Sequence, residues 1–395
     1  MPKDKRALFV SYNAATEPLV KSQVLPYISA LSAEGVKFHL LSFEKDLAAG
    51  ADISKQLKDA GIEWIKLKFH SRPIIIVKPF DIGFGSFVVL WTCITKKINI
   101  VHARGITGAC MALLPARLCR ARFIFDMKSS LAEAYRLSGR LAKDSLAYRA
   151  LSFLERLCVL NSDEVIVETD THKRELEAMA GPRKSRPVIT VLPCCVDVER
   201  FAEKKSHAYI SSEGKMRLVY LGSLSGWYMV PEMLDLFKAF KKVRPNAEFL
   251  FLTDDKEGRI ARIAREKSLE GVETFRAPYE DVPRKLWNAT AGVLFKWPNE
   301  RLDSFPIKVA EYLAAGLPII INSGMGDVEE LVVKNRVGVV VRSLDRESYD
   351  AALIELERLL EEKDALQRRC ADVAASQLSS SYGLTQYRRT YLLNT

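Results

Sequence analysis

The sequence predicts an α/β protein made of two doubly wound parallel sheets. Three observations carry this. The chain has 395 residues, more than one ordinary core needs and enough for two. Short β-type runs alternate with helical segments along its length, the pattern of βαβ crossovers. That alternation pauses once, between Pro193 and Arg217, in a stretch with the charged run Glu203–Lys205 and the turn-like Ser211–Gly214. The expected division is a first domain over residues 1–200, a second over 201–378, and a helical segment over 379–395.

In the first half, Ala7–Tyr12 reads as a buried strand. Ser22–Ala33 has helical spacing with Ser22 as N-cap, and Gly35 ends it. Lys37–Ser42 and Glu63–Phe69 are the next strands. Ile82–Thr95 is the longest apolar stretch. It is shorter than the roughly 20 residues of a membrane span and follows Lys78 and Asp81, so it reads as a buried helix, with membrane-surface contact as the minority reading. Strands Asn99–His102 and Ala121–Asp126 flank a helix at Gly108–Cys119, and Glu164–Glu168 and Val188–Leu192 follow.

The second half repeats the pattern. Strands are expected at Arg217–Leu221, Glu248–Leu252, Val272–Phe275, Gly292–Phe295, Pro318–Ile321 and Val337–Val341. Helices are expected at Val230–Val243, Ile307–Ala315 and Glu347–Glu361. Tyr382, Leu384, Tyr387, Tyr391 and Leu392 recur at helical spacing over Ser380–Asn394, as in a last core helix.

The net charge of +10 is uneven: residues 1–200 hold 30 Lys/Arg against 21 Asp/Glu, and residues 51–150 hold 17 against 7. An anionic membrane surface, nucleic acid and a polyanionic substrate compete as partners, beside a plain solvated face. Nucleic acid is excluded as the weakest, because no base-reading motif accompanies the charge. The seven cysteines show no CxxC spacing, which fits neither a disulfide framework nor a zinc site. Ala7–Val10 is too short for a signal-peptide core. A cytoplasmic location follows, with a peripheral position at an inner membrane as a second possibility.

Arg301–Pro318 (RLDSFPIKVAEYLAAGLP) is the segment richest in chemistry. Ser304 is placed to cap a helix, Pro306 suits its first turn, and Gly316 suits its end. A helix N-terminus attracts phosphate. Lys308 and Glu311 lie three apart on one face: a cation for a diphosphate and an acceptor for ribose hydroxyls. On spacing alone an ordinary i,i+3 surface pair is the commoner reading. No aspartate cluster with metal-binding spacing stands at a strand end; Asp254–Asp255 lacks a third acid.

SFPIKVAEYLAAGLPIII resembles the SxPxKxxEYLAxGxPVI segment of family-4 retaining glycosyltransferases, which adopt the GT-B fold. VLPCCVDVERF resembles that family's interdomain strand, and YLGSLSGWYMVPEML the first strand and turn of its second domain. SYNAATEPLVKSQVLPYISALSAEG resembles the opening of a subgroup with a PxxxSQV loop. The resemblance implies two Rossmann-like domains facing a central cleft, with the last helix returning to the first. It implies that Glu311 binds the donor ribose. Asp303 stands where the family has Glu, and Ser304, Phe305 and Pro306 would meet the diphosphate or sugar. Gly222, Trp227, Ser22 and Gln23 would complete the donor site. The family's cations after the Gly222 turn are missing; Lys308, Lys296 or Arg301 would replace them. Arg104, Asp126, Lys128 and Glu133, at or near strand ends of the first domain, are candidates for phosphate and acceptor.

The function so implied is sugar transfer from a UDP- or GDP-linked donor to a saccharide or lipid-linked saccharide, with retention, for a surface polysaccharide. No cofactor and no metal are expected, with Lys308, Arg104, Lys128 and Asp126 as the catalytic set. A nucleotide-sugar epimerase or hydrolase and a non-catalytic GT-B scaffold are the rivals.

Overall fold

The computed structural model describes residues 4–71, 74–181, 186–202, 216–224, 227–298 and 304–393, without the side chains of 74–76, 279 and 393. The chain divides into two compact units: Met1–Pro193 together with Gly383–Thr395, and Cys194–Tyr382.

The first unit runs β1 (Arg6–Ser11), α1 (Pro18–Gln23), α2 (Leu25–Ala33), β2 (Lys37–Glu44), α3 (Ala51–Asp59), β3 (Glu63–Lys68), α4 (Ile74–Thr95), β4 (Ile100–Arg104), α5 (Gly105–Leu118), β5 (Arg122–Lys128), α6 (Leu131–Leu137), α7 (Leu146–Leu160), β6 (Glu164–Val167), α8 (Asp170–Ala180) and β7 (Val188–Val191). Its seven strands are parallel in the order β3-β2-β1-β4-β5-β6-β7. The order reverses beside β1, so the two halves of the sheet wind in opposite directions.

Strand side chains alternate between two faces. Leu8, Val10, Val101, Ala103, Phe123 and Phe125 are buried in one core with residues of α4, α5 and α7. The interleaved Phe9 and His102 face the returning end of the chain. His102 Nδ1 lies 2.7 Å from the Tyr391 hydroxyl, and its ring centroid is 6.0 Å from that of Tyr387. Arg122 donates to the Thr390 carbonyl at 2.6 Å, and Arg388 pairs with Glu34 at 2.6 Å. A Cβ at Gly383 would stand 2.6 Å from the Tyr27 hydroxyl, so only glycine admits this approach.

The second unit contains α9 (Val198–Ala202), β8 (Arg217–Leu221), α10 (Val230–Val243), β9 (Glu248–Leu252), α11 (Arg259–Glu266), β10 (Val272–Phe275), α12 (Val282–Leu286), β11 (Ala291–Leu294), α13 (Ile307–Ala314), β12 (Ile319–Asn322), α14 (Asp327–Asn335), β13 (Gly338–Val341), α15 (Arg346–Glu361) and α16 (Lys363–Gln377). Helix α17 (Ser380–Arg388) begins here and ends in the first unit. The six strands are parallel in the order β10-β9-β8-β11-β12-β13. Two doubly wound parallel sheets are thus the architecture.

Two local expectations need correction. Ser22 does not cap a helix: it lies inside α1 and donates to the Leu19 carbonyl, while α2 starts afresh after Val24. Pro26 fixes that second start. Ile82–Thr95 is not a buried helix. It is the C-terminal part of the 22-residue α4, which continues upstream through Pro79, Lys78 and Asp81. The Asp81 carboxylate that looked like a boundary is buried because Tyr12 donates to it at 2.9 Å and His70 Nδ1 approaches it at 2.7 Å. Only one side of α4 is covered; Phe80, Phe84, Phe87, Trp91 and Ile94 are exposed.

Candidate active site

In the second unit the site is built where β8 ends and α13 begins. Gly222 follows β8 with φ +123°, a backbone shape that side chains resist. A Cβ there would stand 2.8 Å from Lys308 Nζ, so the missing side chain is what lets the ammonium lie against the turn. Lys308 Nζ also donates to the Tyr220 hydroxyl at 3.2 Å and sits 3.5 Å from the Tyr228 ring centroid. Tyr220 in turn donates to the Ser223 carbonyl at 2.5 Å. Two aromatic faces and a hydroxyl therefore hold one cation in place.

Lys308 and Glu311 are each only 5% exposed, which removes the surface-pair reading. The cause is the setting of α13, whose residues from Lys308 to Ala314 are all buried. Burial pushes the Lys308 ammonium down to about 7; Glu311 opposes this and Lys296 adds to it. Burial pushes the Glu311 carboxyl up to about 7, against the pull of Lys308 and Arg200.

Tyr312 fixes α13 to the sheet. Its ring lies over Gly292 of β11, where a Cβ would come within 2.5 Å. Its hydroxyl accepts from the Leu221 amide at 2.7 Å, next to the Gly222 turn. Ser304 does not cap α13: the N-cap is Pro306, and Ser304 Oγ accepts from Lys296 Nζ at 3.2 Å. Among the described residues no side chain caps this helix; the Val309 amide donates to the Pro306 carbonyl at 2.9 Å, and the Ile307 and Lys308 amides are left open to an anion. Phe305 and Pro306 are buried at the approach to the helix, and Trp227, half-buried, accepts from the Trp297 amide at 3.0 Å. Asp303 and Arg301 lie outside the described residues. Asp255 is occupied in capping α11, through the Arg259 and Ile260 amides.

In the first unit, Arg104 at the end of β4 lies in register with Asp126 of β5, and the two pair at 2.9 Å, both buried. Lys128 Nζ stands 3.4 Å from both Asp126 and Glu168. Burial would raise the Asp126 carboxyl, but Lys128, Arg104 and His102 outweigh it and hold it below its usual range. Lys128 has φ +62° at a register shift ending β5. The other non-glycine residues of positive φ, Lys97, Arg120, Ser268 and Arg336, follow helices, where such a shape closes the last turn. Lys128 alone among these is bent into this shape at a strand end, which turns its ammonium back over Asp126.

Ser22 and Gln23 sit at the end of α1, Gln23 buried and Ser22 half-buried. Glu133 is buried and engaged, accepting from the Tyr148 hydroxyl and from Arg136 at 2.7 Å. The structure thus gathers Gly222, Lys308, Ser304, Phe305, Pro306 and Glu311 around one helix start, and Arg104, Asp126 and Lys128 in a separate cluster. Sequence reasoning missed Tyr220, Tyr312 and the Thr253 hydroxyl, which is buried at the end of β9 with no partner among the described residues. Tyr220 follows Leu218 and Val219 in a strand buried on both faces, so no alternation marked it out.

Residues 20–195 match the family model "Glycosyl transferase 4-like domain", and residues 215–358 match "Glycosyl transferases group 1". Side by side they span most of the chain. The chain belongs to a glycosyltransferase family. No curated protein sequence matches it. Solved structures share the glycosyltransferase's fold at low identity. A sucrose-phosphate synthase from Thermosynechococcus elongatus has TM-score 0.73 at 15% identity, covering 98% of each chain. WaaG, a glycosyltransferase involved in lipopolysaccharide biosynthesis, has TM-score 0.69 at 14% identity, covering 98% of this chain and 99% of its own. Anabaena Alr3699/HepE in complex with UDP-glucose has TM-score 0.67 at 13% identity, with coverages of 98% and 99%.

Proposed function

We propose that this glycosyltransferase moves a sugar from a UDP- or GDP-linked donor to a saccharide or lipid-linked saccharide, with retention, in cytoplasmic assembly of a surface polysaccharide. The observation that carries the donor half is the Lys308 cradle. A buried ammonium lies against the Gly222 turn, beside an uncapped helix start, with the Glu311 carboxylate one turn along. A diphosphate would rest on the α13 amides and Lys308, and Glu311 would accept from the ribose hydroxyls. Alr3699/HepE, crystallised with UDP-glucose, supports a nucleotide-sugar donor by likeness of fold.

As the glycosidic bond to the β-phosphate breaks, negative charge grows on the leaving diphosphate. Lys308 and the helix start are fixed before reaction and stabilise that charge without reorganising. Arg104 and Lys128 of the first unit are held by Asp126 and Glu168, and in this reading the four groups receive the acceptor. No metal is required, so transfer continues in EDTA. Calorimetry with UDP, GDP and their glucose and mannose conjugates is the test. Binding by the wild type and at least a tenfold loss in Glu311→Ala, with unchanged circular dichroism, is the expected result. Equal binding by both proteins would remove the role given to Glu311. Donor turnover without acceptor would favour an epimerase or hydrolase, and no nucleotide binding a scaffold.

A further inference from the structure

Helix α4 carries an apolar stripe that its own unit does not cover. Phe80, Phe84, Phe87, Trp91 and Ile94 are spaced by four, three, four and three residues, which places them along one line of the helix. All five are exposed, Phe87 and Trp91 at 62% each. The neighbouring helices extend the stripe into a face. Helix α4 packs on α5, and α5 on α7. Exposed Leu114 and Leu118 lie on α5, and exposed Leu146, Phe153 and Leu157 on α7. A contiguous apolar face of this kind marks a partner.

The charges around the face are mostly positive. Among the described residues of the three helices, the acids are Asp81 and Glu155, both buried and hydrogen-bonded inward. The exposed charged side chains there are Arg117, Arg149 and Arg156. Just beyond the helix ends Lys97, Arg120 and Lys143 outnumber Asp144 and Asp163, of which Asp163 pairs with Arg117 at 3.7 Å and leaves Arg149 and Arg156 as the cations of the face. Aromatic rings beside arginines and lysines suit a lipid interface, where rings enter the headgroup layer and cations meet anionic headgroups.

Val77–Thr95 is long and apolar enough to cross a membrane by length and composition. Packing argues instead for a helix that lies on the surface. Its other side is committed to the core: Asp81, Val89, Thr92 and Cys93 are buried. A Cβ on Gly85 would stand 2.7 Å from Met111 Sδ of α5, so the two helices are in close contact. Spanning would require the helix to leave its own unit.

We infer that the face formed by α4, α5 and α7 docks on an anionic lipid surface, with Phe87 and Trp91 entering the headgroup layer. This does not rest on the sugar-transfer reading, because vesicle binding is measured without donor or acceptor. The test is co-sedimentation of the full chain with vesicles of phosphatidylcholine and phosphatidylglycerol at three to one, and of phosphatidylcholine alone. The expected result is binding to the anionic vesicles at least about tenfold tighter than to the neutral ones. Phe87→Ser/Trp91→Ser is expected to lose that binding at an unchanged melting temperature, since both residues face solvent. Arg149→Glu/Arg156→Glu is expected to weaken binding to the anionic vesicles alone. Quenching of tryptophan fluorescence by brominated lipid should fall in Trp91→Phe. Equal binding to both vesicles, binding unchanged in the two double variants, or no binding would overturn the inference. A dimer that dissociates in Phe87→Ser/Trp91→Ser and ignores vesicles would overturn it too, and would assign the face to a second copy of the chain.

Discussion

Donor affinity should depend on pH through Lys308. Its ammonium is held down to about 7 by burial, so near neutrality about half of the free protein lacks the charge. A bound diphosphate favours the charged form and raises that value. Binding is then fully developed below pH 7 as far as Lys308 is concerned, and is lost as pH rises towards the higher value of the complex. Between pH 7 and pH 9 the charged fraction falls from roughly one half to roughly one hundredth, about 50-fold or ~2.3 kcal/mol of affinity. Glu311 is pushed up to about 7 and loses its remaining proton over the same range, which alters its own contribution by at most about twofold. The probe is UDP-glucose, whose diphosphate does not titrate there. Calorimetry from pH 7 to pH 9, in two buffers of different ionisation enthalpy, measures affinity and protons together. At pH 7 Lys308 takes up about half a proton, offset by up to half a proton that Glu311 releases, and net uptake rises towards one proton by about pH 9. Lys308→Met should bind at pH 7 about as weakly as the wild type does at pH 9, with no further decline. A flat wild-type profile, or a decline that survives in Lys308→Met, would refute the reasoning.

Three further outcomes are expected. Tyr312→Phe deprives the Leu221 amide of its acceptor and should cost about 1–3 kcal/mol in urea unfolding, with weaker UDP binding because the Gly222 turn loosens. Tyr391→Ala removes a fully buried ring and the hydroxyl at His102, and should cost about 3–5 kcal/mol, read as a fall in melting temperature. Asp126→Ala leaves Arg104 buried without this carboxylate and its repulsion by Lys128 unshielded, for a loss of about 3–5 kcal/mol; Asp126→Asn should cost less, and equal losses would argue against charge as the cause.

The α/β alternation was legible because parallel strands are buried on both faces and stand out as short apolar runs. Arg217–Leu221, Val230–Val243 and Glu248–Leu252 have the bounds their patterns suggest. Ser22 was misread because a capping residue type says nothing about a proline four residues on. Helix α4 was misread because Lys78 and Asp81 look like an end until Tyr12 and His70 are seen to neutralise the cost of burying the acid. In the site, Lys308 and Glu311 could be found by spacing, but not their burial, which comes from the elements packed around α13. The aromatic faces on Lys308 join residues some eighty positions apart, a contact no local pattern encodes. The strained backbone of Lys128 was equally invisible, since lysine gives no hint of a left-handed shape.

Pinning Tyr387, Thr390 and Tyr391 onto the first sheet has a consequence for synthesis. Part of that sheet's second face waits for side chains 289 positions downstream of His102, so Phe9 and His102 stay uncovered while the whole intervening unit is made. The earliest strands are sealed only after the second unit has been translated. A stop codon just before Tyr387 would therefore harm the first strands of the molecule more than the region it follows.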